Sequence, residues 1–387
     1  MPETNNQEVA FVTSYPLSCE PVVKNRLAPY IAYMKSQNFK VSLFSTDNED
    51  LSGALGVKHI RVSRAKRSRR FIKRAFQEFV EASRLLKKVK QSKINTCVVT
   101  IPSMFLLFRL SIIKDNTIYL DIRDLTWEYL SNSSLIQRLF KLLARYITKI
   151  KISMIDGVAV TNNTEYQYVR NKLKVDESKV CFVPNGVGRE QFTVLNKACA
   201  VDSDDTVVSY IGNIGIAQNL TVLIDAAYLL PHVDFLIVGD GTDRERVQTY
   251  CDSKGIKNVT FTGRVPWEKA IDYYSNTHIL YAQLDEKFSG AIPSKLYEYL
   301  STGKYVLYGG KGEAKEVLTG FENNTVIEPN NVNEVVKAIN HITKLSLHSV
   351  RSDKNKEMIK KHYIREDNVE SFLKRVAVGR ENGLEDM

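Results

Sequence analysis

The sequence predicts an α/β fold of two doubly wound domains, each built on a parallel sheet. Three observations predict it. Short apolar, strand-like runs alternate with helix-period segments almost throughout, the pattern of a parallel sheet covered by helices on both faces. The alternation is broken once, at "VPNGVGREQF" (Val183 to Phe192), a turn-rich stretch that reads as a linker, and then restarts. The length, 387 residues, suits two domains better than one.

In the first half, strands are expected near Val9–Thr13, Lys40–Phe44, His59–Val62, Thr96–Thr100, Thr117–Asp121, Gly157–Val160 and Val180–Val183. Helical segments fall between them, such as Val22–Ser36 and Leu135–Ile150. The second set of strands is expected at Thr206–Ile211, Asp234–Val238, Val259–Thr262, His278–Tyr281, Tyr305–Leu307 and Thr325–Ile327. After about Asn331 the chain reads as helix to its end. The two domains are placed at residues 1–188, with 362–387 crossing back, and at 189–361. In such folds ligands bind at the carboxyl ends of the strands, here expected in a cleft between the two domains.

Composition narrows the function. Hydrophobic residues at 43% and charged residues at 25% are ordinary for a globular protein with a sizeable core. Cys19, Cys97, Cys181, Cys199 and Cys251 are scattered, odd in number and free of CxxC or Cys/His clusters, which disfavours a disulfide framework or a zinc site. The N-terminal "MPETNNQEVAFV" lacks a signal-peptide pattern. The longest apolar run, Cys97 to Phe108, contains Pro102 and reads as a strand followed by a helix, not a membrane span. The net charge of +10 is concentrated: residues 61–93 hold thirteen Lys/Arg against two acids, and the rest of the chain is close to neutral.

The second half carries three glycine turns, each directly after an expected strand. They are "YIGNIGIAQNL" (Tyr210 to Leu220), "FLIVGDGTDRERV" (Phe235 to Val247) and "FTGRVPWEKA" (Phe261 to Ala270). Gly212 and Gly215, Gly239 and Gly241, and Gly263 with Arg264 therefore line one edge of one sheet. Glycine permits close backbone approach, and a helix start offers N–H groups to an anion. Together they suggest a phosphorylated, nucleotide-bearing ligand. "PSKLYEYLSTGKYV" (Pro293 to Val306) adds Pro293 at a first helical position, with Ser294 and Lys295 in the first turn. A lysine there opposes the helix dipole unless an anion lies between them. Glu298 lies one turn on, where a carboxylate can accept two hydroxyl hydrogen bonds, as from a ribose diol. A plain surface Lys–Glu pair is the alternative for the same spacing.

The order of "GNIGIAQNL", "VGDGTDRERV", "FTGRVP" and "PSKLYEYLSTGKYV" resembles the large retaining family of GT-B glycosyltransferases, family 4. It is most similar to the bacterial branch that transfers N-acetylated amino sugars, of the N-acetylfucosamine or N-acetylglucosamine type, in surface-polysaccharide synthesis. "LDIRDLTWEYL" resembles that branch's Asp-x-Arg-Asp-Leu-Trp-Pro-Glu-Ser motif, and "MIDGVAVTN", "VPNGV" and "YIREDNVESFLKRV" match as well. The resemblance implies two Rossmann-like domains facing across a cleft, with the last helix crossing back to the first.

It also implies roles. Glu298 takes the ribose; Lys295, with Ser294 and the helix start, takes the pyrophosphate. Gly290, Ala291 and Ile292 lie under the donor sugar, Arg264 and Val265 near the base, and Gly212, Asn213 and Gly241 near the phosphates. Departures stand beside these. The family's Arg and Lys in the first glycine loop are Asn213 and Gln218 here, and its second glutamate is Gly290. Thr126 and Trp127 replace Trp-Pro. The loop "SYPLSCEPVVKNR" lacks the usual Gly-Gly but keeps Arg26.

Retaining transfer on this fold needs no protein nucleophile and no metal, so Lys295 is the expected charge stabiliser. Arg123 and Asp124, at a first-domain strand end, are expected to orient donor-sugar or acceptor hydroxyls, with Glu128 and Arg26 on the acceptor side. A helix N-cap, or a partner for Arg123, is the alternative for Asp124. "VDSDD" (Val201 to Asp205) contains an Asp-x-Asp but reads as a solvated turn.

The basic segment, Arg64 to Gln91, has apolar residues at Ile72, Phe76, Phe79, Leu86 and Val89, at helical spacing. Nucleic acid, an anionic membrane surface and a solvated face are the open readings. The resemblance selects the membrane, because a polyprenyl-diphosphate-linked acceptor sits at the cytoplasmic leaflet. Arg67, Arg69, Arg70, Phe71, Lys73 and Arg74 are the expected contacts, giving a cytoplasmic enzyme peripheral on the inner face of the membrane and no nucleic-acid partner. Two other functions remain open: a nucleotide-sugar epimerase on the same fold, and a binding protein without turnover.

Overall fold

The structure is a computed structural model and describes residues 7–64, 66, 68, 70–101, 103–128, 130, 132, 134–198 and 206–378. Arg67, Arg69, Cys199 and the Asp-x-Asp segment at 201–205 lie outside the described residues. The chain falls into two compact units. One runs to Pro184 and resumes at Arg365; the other is Asn185–Ile364.

The first unit holds seven strands: β1 (Glu8–Val12), β2 (Lys40–Ser45), β3 (Lys58–Arg61), β4 (Thr96–Ile101), β5 (Thr117–Ile122), β6 (Gly157–Val160) and β7 (Val180–Phe182). The second holds six: β8 (Val207–Ile211), β9 (Asp234–Val238), β10 (Val259–Gly263), β11 (Ile279–Gln283), β12 (Tyr305–Gly309) and β13 (Asn324–Ile327). The sheet orders are β3-β2-β1-β4-β5-β6-β7 and β10-β9-β8-β11-β12-β13. The pairing is parallel, for example Val9 opposite Val41 and Tyr210 opposite Ile237. Every expected strand is present, within two residues at either end. In each sheet the order reverses once, at β1/β4 and at β8/β11, the switch points where open α/β sheets bind ligands.

Strand alternation explains both cores. Ala10 and Val12 face one way, onto Leu85, Leu86 and Val89 of the Phe71–Ser92 helix. Val9 and Phe11 face the other way, onto Leu27, Tyr30 and Ile31 of the Pro21–Ser36 helix and onto Phe372 and Leu373 of the Glu370–Val378 helix. That last helix is tied in by the Tyr119 hydroxyl, which donates to the Arg375 carbonyl (2.8 Å). In the second unit Val208 and Tyr210 face a core shared with the Thr221–Leu229 and Val332–Lys344 helices.

Two expectations are corrected. The stretch read as a linker is structured in its second half: Val187 bridges to Ile364, and Gly188 caps the Arg189–Leu195 helix. The last part of the chain is not continuous helix. It breaks after Lys344 and again at Tyr363 and Ile364, where the extended backbone pairs with Val187 (Val187 N–H to the Tyr363 carbonyl, 3.0 Å).

Candidate functional site

The second unit gathers its glycine loops at the strand ends. The amide of Gly212 donates to Val238 (2.9 Å), and the amide of Gly239 donates to Gly263 (2.9 Å), so the ends of β8, β9 and β10 are stitched in sequence. The amide of Ile214 donates to Asp240 (2.9 Å) and that of Asp243 to Ile214 (3.0 Å). Gly239, at φ 138°, has no space for a side chain, because a Cβ would run into the Gly212 carbonyl; at Gly241 it would run into that of Ile214. Gln218 accepts from the Gly215 amide (3.0 Å), closing the turn that follows Asn213.

The Ser294–Ser301 helix begins with Pro293 as its N-cap, one position earlier than expected, so Ser294 and Lys295 are its first two residues. Lys295 reaches back over Gly212. A Cβ at Gly212, at φ 147°, would come within 2.9 Å of the Lys295 Nζ. The ammonium donates to the Tyr210 hydroxyl and lies 3.7 Å from the centre of that ring, a cation–π arrangement. Tyr210 in turn donates to the Asn213 carbonyl. Burial pulls the Lys295 pKa down to about 7, opposed by the charge of Glu298. Among the described residues no carboxylate is in ion-pair contact with the ammonium. Glu298, one turn on and half-buried, accepts from the Tyr274 hydroxyl (3.0 Å).

Gly290, Ala291 and Ile292 form the loop before this helix. The Ala291 amide donates to Phe288 (2.9 Å), and Ala291 and Ile292 pack at the edge of the core. Arg264 is exposed, one residue beyond β10, and Val265 is half-buried beside it. Lys295, Gly212, Asn213 and Glu298 thus share one neighbourhood. Tyr210 and Tyr274 belong to it too, and the sequence reading did not single them out. The available signal was an aromatic residue two positions before the glycine turn, facing the helix that carries the lysine. Chemically the site is a cation of adjustable charge beside a glycine floor, with a carboxylate one turn away. It can hold a diphosphate and a diol.

The first unit has a different arrangement at the end of β5. Arg26 is buried, and each of its three guanidinium nitrogens has an acceptor. Its guanidinium donates to Asp121 through Nε (3.2 Å) and Nη2 (2.7 Å) and to the Val183 carbonyl through Nη1 (2.9 Å). In these contacts Arg26 braces the sheet, tying the Pro21–Ser36 helix to β5 and to the Val183 carbonyl. Arg123 is buried, with no partner for its Nε among the described residues, and burial lowers its pKa. Asp124 lies beside it; burial raises its pKa against the pull of Arg123. Glu165 adds a third carboxyl group. It accepts from the Thr161 amide (2.7 Å) and hydroxyl (2.9 Å), and burial pushes its pKa up to about 7.

Glu128 also meets several neighbours. It takes Arg145 (2.8 Å), the Tyr168 hydroxyl (3.0 Å) and, at 3.6 Å, Lys141. Trp127, which departs from the motif, is fully buried and donates to Tyr168 (2.9 Å). Arg70 and Lys73 are exposed at the start of the Phe71–Ser92 helix, Phe71 stacks edge-on against Phe140 (5.7 Å), and Arg74 pairs with Glu78 (2.9 Å). Phe79, Leu86 and Val89 pack on the core, whereas Ile72 and Phe76 are each 67% exposed.

Residues 192–364 match the family described as Glycosyl transferases group 1. No curated protein matches the chain by sequence. Solved structures match it over nearly its full length. A glycosyltransferase from Rickettsia africae has 16% identity and a TM-score of 0.70, covering 98% of this chain and 100% of its own. A sucrose-phosphate synthase from Thermosynechococcus elongatus has 16% identity and a TM-score of 0.73, covering 95% and 98%. HepE of Anabaena, solved with UDP-glucose, has 12% identity and a TM-score of 0.66, covering 96% and 100%. At these identities the likeness carries the fold: two parallel-sheet, Rossmann-like domains of the GT-B type.

Proposed function

We propose that this protein is a retaining glycosyltransferase of the group 1 family. It moves a hexosyl or N-acetylhexosaminyl group from a nucleotide-sugar, with UDP the leading nucleotide, to a polyprenyl-diphosphate-linked saccharide. The reaction would take place at the anionic inner face of a bacterial membrane, in surface-polysaccharide synthesis. The carrying observation is the Lys295 ammonium, held over Gly212 by the neutral Tyr210 and, among the described residues, lacking an ion-paired carboxylate. A half-buried cation so placed gains most from an anion supplied by a ligand. The family match over residues 192–364 and the UDP-glucose bound to HepE support a nucleotide-sugar as that ligand.

In this reading the diphosphate lies between Lys295 and the start of the Ser294–Ser301 helix, and Glu298 takes the ribose hydroxyls. The acceptor oxygen bonds to the anomeric carbon on the face that the diphosphate leaves, and the leaving oxygen accepts the hydroxyl proton. Lys295 stabilises the charge growing on the diphosphate, and no metal is required. Arg123 and Asp124 orient sugar hydroxyls.

The test offers UDP-sugars and a polyprenyl-diphosphate-sugar and looks for glycosylated lipid. Product from wild type, and little from Lys295→Ala or Glu298→Ala, supports the reading. Epimerised free sugar without acceptor assigns an epimerase instead, and nucleotide binding without product across a broad donor panel assigns a binding protein.

A further inference from the structure

The Leu135–Lys151 helix is built inside out. Leu135, Leu139, Leu142, Leu143, Tyr146 and Ile150 are each 49–70% exposed. At ~100° per residue they fall within an arc of about 100° on one face. The opposite face, which is buried, carries Lys141, Ala144 and Thr148. Polar contacts hold this rotation. The Lys141 ammonium donates to the Glu128 carbonyl (2.7 Å), and Arg145 pairs with the Glu128 carboxylate. Turning the helix to bury its leucines would break them.

The apolar arc continues onto a second element. Ile136 and Gln137 line a depression of ≈ 600 Å³ together with Phe71, Ile72, Lys73 and Phe76 of the Phe71–Ser92 helix. Charge identifies the occupant. The helix sequence LIQRLFKLLARYITKIK contains five Lys/Arg and no acid, and Arg138, Arg145 and Lys149 run along one margin of the apolar arc. A second copy paired by a two-fold axis would set this basic margin against itself. An anionic lipid leaflet satisfies both parts at once, acyl chains for the leucines and headgroups for the cations.

We infer that the Leu135–Lys151 helix is the element that lies in the interface of an anionic membrane, with Ile72 and Phe76 beside it. The inference deepens the reading above, on which it rests, by moving the docking element from the basic segment to this helix. Its partner is the leaflet surface, and the basic start of the Phe71–Ser92 helix serves as a flank.

The experiment measures co-sedimentation of the full chain with vesicles of phosphatidylcholine and phosphatidylglycerol, at low salt. Leu139→Glu combined with Leu143→Glu should lower partitioning by about 100-fold or more, since each change removes a large apolar side chain from the lipid. Thermal unfolding and UDP affinity should stay unchanged. Tyr146→Trp should show blue-shifted emission on these vesicles and quenching by brominated acyl chains.

Undiminished binding of the double variant, or no binding of wild type at low salt, overturns the inference. So does a wild-type dimer that the double variant converts to monomer. Transfer to a detergent-dispersed acceptor is scored separately. Its loss overturns the enzymatic reading and leaves the membrane face standing, and its retention without vesicle binding does the reverse.

Discussion

Each unit encloses a cation near the end of its sheet, and the two are treated differently. In the first unit Arg26 meets Asp121 through two nitrogens and the Val183 carbonyl through a third, and Tyr30 also donates to Asp121 (2.9 Å). Each nitrogen of the guanidinium fork has an acceptor, and the carboxylate in turn stabilises its charge, so the Arg26 pKa is raised even against burial. In the second unit Lys295 has a neutral phenol and the face of its ring. Burial, only partly opposed by the charge of Glu298, pulls its pKa to about 7. A cation that is paid for by the fold is a strut, and a cation left short of charge is a place for a ligand.

Four changes test this contrast. The largest effect belongs to the strut. Asp121→Ala leaves the Arg26 charge buried and uncompensated and should cost about 3–5 kcal/mol in urea unfolding; a loss below ~1 kcal/mol would make the pair dispensable. Lys295→Ala should do the opposite. Stability changes little, while the transfer rate falls roughly 100- to 1,000-fold, the size expected for one donor to a developing oxyanion. A rate within a fewfold of wild type would remove Lys295 from the chemistry.

The third test is pH. Because the folded pKa of Lys295 is about 7 and its ordinary value is 10.5, the unfolded chain holds more protons in between. Its contribution to stability therefore rises with pH across that window, and Lys295→Met should flatten the rise. Over the same range the free protein loses the ammonium, so donor affinity should weaken by up to about tenfold per pH unit above 7, until the pKa of the bound state is reached. Titration calorimetry with UDP at pH 6.5 and 8.5 measures it, and equal affinities would contradict the shifted lysine. The smallest effect is expected from Tyr274→Phe, which removes the hydrogen bond to Glu298. About 1 kcal/mol, or a fewfold in donor affinity, should be lost without loss of the fold.

Much of this was legible in the sequence. Short apolar runs bounded by turns marked all thirteen strands, because a strand buried on both faces leaves little choice of residue. The glycines after β8, β9 and β10 marked backbone close approach, and the structure shows what approaches: Gly212 carries the Lys295 ammonium, and Gly239 the Gly212 carbonyl. Lys295 and Glu298 were legible because one helical turn brings them together whatever surrounds them. Tyr210 was not, since it is eighty-five residues from Lys295. Nor was the partner of Arg26 legible, since Asp121 lies ninety-five residues away.

The Leu135–Lys151 helix shows where local reading stops. Its period announces a helix with one apolar face, as does that of the Val332–Lys344 helix. The latter buries Val335, Ile339 and Ile342, while the former turns Leu139 and Leu143 outward. The sequence by itself determined the strands, the glycine turns and the spacing of Lys295 and Glu298, because each depends on neighbours a few residues away. Only the tertiary structure decided which cation is satisfied and which apolar face is left uncovered. Both depend on groups brought together from distant parts of the chain, and periodicity is the same whichever way a helix is turned.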